Sequence, residues 1–410
     1  MEVLYPRCGG LDVHQQTVVA CARVASGSSV QQDVRTFGTA AADLLALADW
    51  LTAHGCTHVA MESTGVYWKP IWHVLDGQFD LILANALHIR SVPGRKTDVN
   101  DAMWLADLLA HGLIRPSFVP SLSEQALRDL TRARKQLTRE KASHVQRIDK
   151  TLQAANIKLG SVLSNIMGQS GRALLEALAA GESNPEQLAG LVRTKIRASH
   201  AQVVEAVRGR LAAHQRLLLR LYLTQVDALD AAIAAIDHEL GERLKPVQET
   251  VQRLTTMPGL SPLSAAVVIS EIGLDMSRFP SAAHLISWAG LCPKNDESAG
   301  KRRSTRLRPG APWLKAVLVQ SAWCAVRVKA SYLHALFQRL KARRGPRKAI
   351  VAVAAAMLTA IYHMLNRGTA YHDLGPDHFQ RTERSRLAAR LARKLGELGF
   401  DVTLTQRAAT

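Results

Sequence analysis

With 410 residues, 47% hydrophobic but only 5% aromatic, the chain has material for two or three domains and several cores, mainly helical with some sheet. A formal net charge of +18 points to a polyanionic partner, either nucleic acid or an anionic membrane. The five cysteines (Cys8, Cys21, Cys56, Cys292 and Cys324) are odd in number, widely spaced and without a CxxC pair, which argues against a disulfide framework or a thiolate zinc site. The opening MEVLYPRCGGLDV has neither a basic n-region nor an apolar h-region, so no secretory leader is expected. The Ala-rich run 349–365 reads as a packed helix rather than a bilayer span. The expected compartment is the cytoplasm, with no membrane partner.

Residues 10–24 are β-rich and broken by a polar turn at 14–16, as in two adjacent strands. A helical pattern covers 40–54. A short strand pattern, 57–61, ends at Glu62 and the turn-like Ser63-Thr64-Gly65, and 79–84 is another candidate strand. Residues 98–111 carry apolar side chains at helical spacing and stop at Gly112. An α/β layer fold is the natural reading of this first part.

From 121 to 244 proline nearly disappears, and the spacing predicts long antiparallel helices or a coiled-coil stalk. Residues 121–150 hold eight Arg/Lys against four Asp/Glu, and Ser121 with Glu124 has the spacing of a capping box. Near Val251 a third region begins. LTTMPGLSPLSAAVVISEIG, residues 254–273, reads as helix, Pro-Gly turn and helix. It is similar to a helix-hairpin-helix element in which Ser261 replaces the second glycine, and a plain αα-hairpin fits equally well. The polar, Gly- and Pro-bounded stretch that follows, KNDESAGKRRSTRLRPG, is expected to be a loop, and helices resume at Ala311. A basic helix is expected from Glu383 to about Gly399. Residues 301–350 hold fourteen Arg/Lys and no Asp/Glu, the signature of a polyanion-binding surface.

Four carboxylates form the first constellation. Asp12 lies in the first strand pattern, Glu62 ends a later one, and Asp98 and Asp101 stand three apart at the start of a helix, on one helical face. Capping or solvation accounts for the Asp98–Asp101 pair equally well when it is taken alone. Taken together, four carboxylates converging on one sheet edge would repel one another unless cations neutralise them, and hard oxygen donors select Mg²⁺ or Mn²⁺. Two such ions can activate a nucleophile and stabilise the leaving oxygen at a phosphodiester. Arg95 and Lys96 suit a phosphate backbone or a solvated loop alike. Tyr67 and Trp68 are read as core residues in preference to base-stacking ones.

The second constellation is Ser298, inside the glycine-bounded basic stretch 294–303. Lys301, Arg302, Arg303, Arg306 and Arg308 surround it in sequence. They are suited to hold a phosphate and to stabilise charge as a serine oxygen attacks it. A lone serine is otherwise an ordinary turn hydroxyl, and neither a GxSxG elbow nor a Ser/His/Asp order argues for acyl transfer.

The segments GLDVHQQTV with Asp12, AMESTGVYWKPIW with Glu62, VPGRKTDVNDAMWLADLLAHGLIRPSFVP with Asp98 and Asp101, ISWAGLCPKNDESAGKRRSTRLRPG with Ser298, and YHDLGPDHF occur in one order across most of the chain. In this the sequence resembles bacterial insertion-sequence transposases with an N-terminal DEDD, RuvC-like domain and a C-terminal serine-nucleophile domain, the bridge-RNA-guided recombinase family. The resemblance implies an α/β RNase H-like (RuvC-like) domain at 1–120, a helical or coiled-coil linker at 121–248, a mainly helical C-terminal transposase domain at 249–382 with the helix-hairpin-helix-like element, and a basic helical tail at 383–410. It further implies Mg²⁺ on the four carboxylates, a covalent phosphoserine link at Ser298, donor and target DNA as substrates, a noncoding bridge RNA as guide, and a homodimer or homotetramer in which a RuvC-like site of one subunit meets the serine-bearing domain of another. Two rivals stand beside it: a RuvC-like metal-dependent junction nuclease indifferent to Ser298, and a non-catalytic nucleic-acid scaffold.

Overall fold

The computed structural model describes residues 2–27, 29–63, 65–85, 89, 101–193, 195–294, 296–298, 300–304, 306–399 and 401–403. The chain divides into two compact units, Met1–Val119 and Pro120–Thr410.

In the first unit, β1 (Arg7–Val13), β2 (Thr17–Ser26), β3 (Ser29–Gly38), β4 (His58–Glu62) and β5 (Asp80–Ala84) form one mixed sheet in the order β3-β2-β1-β4-β5. β2 is antiparallel to both β1 and β3, whereas β4 runs parallel to β1 and β5 to β4. Side chains alternate between the two faces. Leu11, Val13, Val59 and Met61 bury themselves with α1 (Ala41–Ala53) and α2 (Trp68–Leu75) on one face. Cys8, Ala60 and Ala84 face α3 (Asp101–Ala110) on the other. This is the layered RNase H-like arrangement. The third strand is not among the expected ones: SVQQDVRTFG is polar and mostly exposed, so it lacks the alternation that marks a half-buried strand. Trp68 packs into the core as expected, while Tyr67 is left exposed.

The second unit is helical. Leu122–Ala154 forms the 33-residue helix α4, opened by Ser121, whose side chain accepts from the Glu124 amide while the Glu124 carboxylate accepts from the Ser121 amide. A group of short helices follows: α5 (Leu159–Val162), α6 (Gln169–Ala180), α7 (Pro185–Ala189) and α8 (His200–Ala206). The chain then returns along α4 as α9 (Ala213–Leu244). Ion pairs of Arg134 with Asp237 and Lys141 with Asp230 fix the antiparallel register. At one end the pair joins the short helices in a core around Ile148, Leu152 and Leu223; at the other, Leu127, Leu240 and Leu244 belong to the C-terminal core.

That C-terminal core gathers α10 (Gln248–Thr255), α11 (Pro262–Ile272), α12 (Ala282–Ala289), α13 (Pro312–Ala325), α14 (Tyr332–Arg344) and α15 (Pro346–Arg367). α10 and α11 form the expected helical hairpin, and Ser261 caps α11 by accepting from the Ser264 amide. Capping is a sufficient reason for a serine at the position a second glycine would hold. α15 is long and apolar enough to cross a membrane by length and composition, yet eight of its residues are buried in this core. The final helix, α16 (His378–Glu397), starts a turn and a half before the expected Glu383.

The polar stretch read as a loop is instead a hairpin of β6 (Asp296–Ser298) and β7 (Lys301–Ser304). Ser298 pairs with Lys301, leaving two residues to close the turn, and Gly300 takes the left-handed backbone (φ 71°) that such tight closures need. Few residues of this hairpin have strand preference, which is why the sequence read as irregular.

Candidate active site

Three of the four predicted carboxylates fall within the described residues: register brings Asp12 and Glu62 to one edge of the sheet, and Asp101 opens the helix that packs on the sheet. Leu11 pairs with Met61 in the parallel β1–β4 ladder, so Asp12 and Glu62 are the next positions on adjacent strands. Parity places them on the same face: Asp12 follows Gly10 by two residues, and Glu62 follows Ala60 by two. That face carries α3, and Asp101 is the helix's first residue.

Gly10 explains how α3 comes so close. A Cβ at this position would lie 2.1 Å from the Ala102 carbonyl oxygen and 2.5 Å from the Ala106 nitrogen. No side chain fits, and the first turn of α3 therefore rests on the β1 backbone directly beside Asp12. α3 runs against the direction of β1, because the Ala110 carbonyl accepts from the Leu4 and Tyr5 amides before the strand begins. The positive end of the helix is thus at the carboxylate edge, where it stabilises acidic side chains.

Asp12 and Glu62 are both half-buried. His14 Nε2 stands 3.2 Å from Asp12 Oδ2. Sequence reasoning passed over His14, although its place two residues beyond Asp12 in the turn was the available signal. Asp98, Arg95 and Lys96 lie outside the described residues. Among the described residues no group of three or more His, Cys, Asp or Glu side chains is gathered closely enough to hold a metal ion. The donor set on this edge is nonetheless all oxygen and all acidic, the chemistry that suits a hard divalent cation.

Further back on the same face, Arg23 of β2 is 4% exposed and donates from Nε to Asp107 Oδ1 of α3 at 2.8 Å. Gln32 Nε2 donates to the same oxygen at 3.0 Å. Arg23 Nη1 is buried with no hydrogen-bond partner. This buried cation ties α3 to β2 well away from the carboxylate edge. Burial also pushes the Cys8 and Cys21 thiols up to about 12 and Cys56 to about 11, so all three are inert at neutral pH. Cys324, by contrast, is exposed.

Ser298 belongs to the second unit, at the end of β6 beside the hairpin turn. Backbone bonds continue the hairpin downward, from the Lys294 amide to the Arg306 carbonyl at 2.9 Å and from the Arg308 amide to the Cys292 carbonyl at 3.2 Å. Arg308 Nη1 donates to Ser287 Oγ at 2.9 Å, anchoring the base of the hairpin to α12. Lys301, Arg303, Arg306 and Arg308 are all exposed. The hairpin therefore carries a serine within a solvent-facing cationic arm.

Two family models match this chain, one towards each end. Residues 9–157 match the DEDD transposase model of the IS110 type, described as a transposase, and residues 251–338 match the model described as the transposase IS116/IS110/IS902 family. A Sinorhizobium fredii protein named for transposase function, y4pF/y4sB, is 25% identical over 324 residues, covering 77% of this chain and 74% of the relative. A second protein from that organism with the same kind of name, y4rJ, is 27% identical over 260 residues, 61% of this chain and 60% of the relative. The 42 kDa protein of insertion element IS900 from Mycobacterium paratuberculosis is 25% identical over 325 residues, 71% of this chain and 80% of its own length.

Proposed function

Because the chain belongs to the IS116/IS110/IS902 family of transposases, with a DEDD, RuvC-like domain at its N-terminal side, it is a DNA-rearranging enzyme, and we propose the chemistry by which it acts. Ser298 is the nucleophile. Its oxygen forms a bond to the scissile phosphorus while the bond from phosphorus to a deoxyribose oxygen breaks. The serine proton leaves, and a proton is delivered to the departing sugar oxygen. The phosphodiester is exchanged rather than hydrolysed, so the reverse attack by another sugar hydroxyl rejoins a strand without an external energy source.

Asp12, Glu62, Asp98 and Asp101 are the carboxylates that would hold Mg²⁺, or Mn²⁺ in its place. A bound divalent ion supplies Lewis-acid polarisation of a phosphoryl oxygen. The chain's own part is to fix Asp12 and Glu62 on adjacent strands and to present Asp101 from the closely docked helix. The exposed cations Lys301, Arg303, Arg306 and Arg308, with Arg302 in the same strand, hold the DNA backbone near the serine. Arg95 and Lys96 are assigned to the same reading as further phosphate-binding cations. A noncoding bridge RNA that pairs with donor and target DNA, and assembly as a homodimer or homotetramer, complete the proposal.

The observation that carries the reading is the shared edge and face of Asp12 and Glu62, beside the helix that Asp101 opens, in a chain that also has Ser298 in a hairpin with exposed cations. The test is denaturing electrophoresis of reactions on labelled DNA with Mg²⁺. Ser298→Ala is expected to abolish protein–DNA adducts while RNA from the element's own flank still co-purifies. Adducts persisting in Ser298→Ala would overturn the nucleophile, and heterogeneous cellular RNA in place of one discrete species would overturn the guide.

A further inference from the structure

Within the second unit, a cleft of about 550 Å³ opens between α4, the α10–α11 hairpin and α13. Its wall on α4 is cationic, with Arg132, Lys135 and Arg139 at successive helical turns, and its opposite wall holds Trp313 in the first turn of α13. Two guanidinium groups approach the one indole: Arg132 Cζ lies 5.7 Å and Arg139 Cζ 5.4 Å from the ring centroid.

These cations are not equivalent. Arg132 donates from Nε and Nη2 to the two carboxylate oxygens of Glu271, at 2.8 and 2.9 Å, and Glu271 is 1% exposed. It is a neutralised, structural arginine. Lys135 and Arg139 form no ion pair among the described residues, although Arg139 is exposed and Lys135 half-buried on the cleft wall. The start of α13, also on the cleft, adds the positive end of a helix dipole. Positive charge is thus concentrated around a flat aromatic surface, the other charged residues of the recess being paired, Glu271 with Arg132 and Arg134 with Asp237.

An apolar peptide entering this cleft would strip water from two cations and return nothing to them. A nucleotide supplies both missing parts, a π-face for the indole and a phosphate for Lys135 and Arg139. The geometry points to a subsite for one nucleotide of a single-stranded nucleic acid, its base against Trp313 and its phosphate between Lys135 and Arg139. It rests on the reading of the chain as a nucleic-acid enzyme, but names a surface whose lining includes neither the carboxylates nor the residues of the Ser298 hairpin.

The test uses the full-length protein and fluorescent oligomers of rU and of dT, about twelve nucleotides long, with a blunt duplex as control, followed by anisotropy. Trp313→Ala is expected to weaken single-strand binding about tenfold or more, the usual scale of one lost stack, and duplex binding by less than about twofold. Trp313→Phe, which keeps a ring, should hold within about threefold. The Lys135→Ala, Arg139→Ala double variant leaves the core untouched and should reduce the salt slope for single strands by about 0.7, the share of one phosphate. A loss confined to rU assigns the site to RNA, one confined to dT assigns it to DNA, and equal losses assign it to either strand.

Wild-type single-strand affinity in a folded Trp313→Ala overturns the subsite. If that variant does not fold, an unchanged salt slope in the double variant overturns it instead. Unaltered binding in every variant together with altered self-association would place a segment of a second copy in the cleft, again against the proposal. Adduct formation at Ser298 is scored separately. Trp313-dependent binding without adducts would sink the nucleophile and leave the cleft, while adducts with Trp313-independent binding would do the reverse.

Discussion

The carboxylate edge and the serine hairpin hold their reactive groups in contrasting surroundings. Asp12 and Glu62 extend from the middle strands of a five-stranded sheet covered on both faces, and α3 is pressed onto β1 with no room for a side chain at Gly10. Ser298 ends a three-residue strand in a two-stranded hairpin where Lys301 and Arg303 face solvent and a Cβ added at the turn glycine would meet nothing within 4 Å. The first arrangement is fixed by burial before any substrate arrives. The second has little apolar area to hold it and a high density of like charge, so polyanion binding is what relieves its repulsion. In the proposed chemistry a metal site would need its donors preset, whereas an attacking arm would need to follow the strand.

That contrast is open to direct attack. Asp107→Ala leaves the buried Arg23 guanidinium without its carboxylate and should destabilise the first unit by about 3–5 kcal/mol in denaturant unfolding. Arg23→Met should cost clearly less, because the Asp107 side chain is 41% exposed and can rehydrate. Equal costs would mean that the pair is not what ties α3 to the sheet. Asp12→Asn should lower strand exchange ~100-fold, the several kcal/mol expected of a lost Lewis-acid ligand. Its melting temperature without Mg²⁺ should hold or rise, since a repelling charge has gone. A large loss of stability in the absence of metal would make Asp12 a structural residue.

The two glycines give the same comparison in miniature. Gly10→Ala forces a Cβ into the α3 backbone and is expected to cost about 3 kcal/mol in thermal unfolding. Gly300→Ala pays only for its left-handed backbone, about 1 kcal/mol, because the surrounding space is open. Similar losses at both positions would erase the distinction between a packed edge and a free arm. The smallest effect is electrostatic: Arg303→Ala should reduce the salt slope of duplex binding by about 0.9 with little change in stability. A slope unchanged in this variant would take Arg303 out of the DNA contact.

Much of the first unit was legible because its strands alternate or run apolar and its helices keep period. The β1–β2 hairpin, α1, β4, β5 and α3 all follow from such patterns. β3 escaped because an exposed edge strand has no buried face to print on the sequence, and α2, WKPIWHVL, because a proline interrupts a single short turn pattern. The long helices and the Ser121 cap were plain from the chain, whereas β6 and β7 were hidden in residues of low strand preference. The acidic set was visible in order but not in space. The adjacency of Asp12 and Glu62 depends on the Leu11–Met61 register and on strand parity, which no single segment encodes. The Trp313 cleft was beyond reach for a related reason: Arg132 and Arg139 precede the indole by more than 170 residues, and only tertiary packing brings them together.

The most direct measurement is mass spectrometry of the protein–DNA adduct after nuclease and protease digestion. The account predicts a single nucleotide-bearing peptide, the one containing Ser298, with the phosphate on that serine. A nucleotide on any other residue would contradict it, as would strands cut with Mg²⁺ through plain hydrolysis and no peptide modified at all.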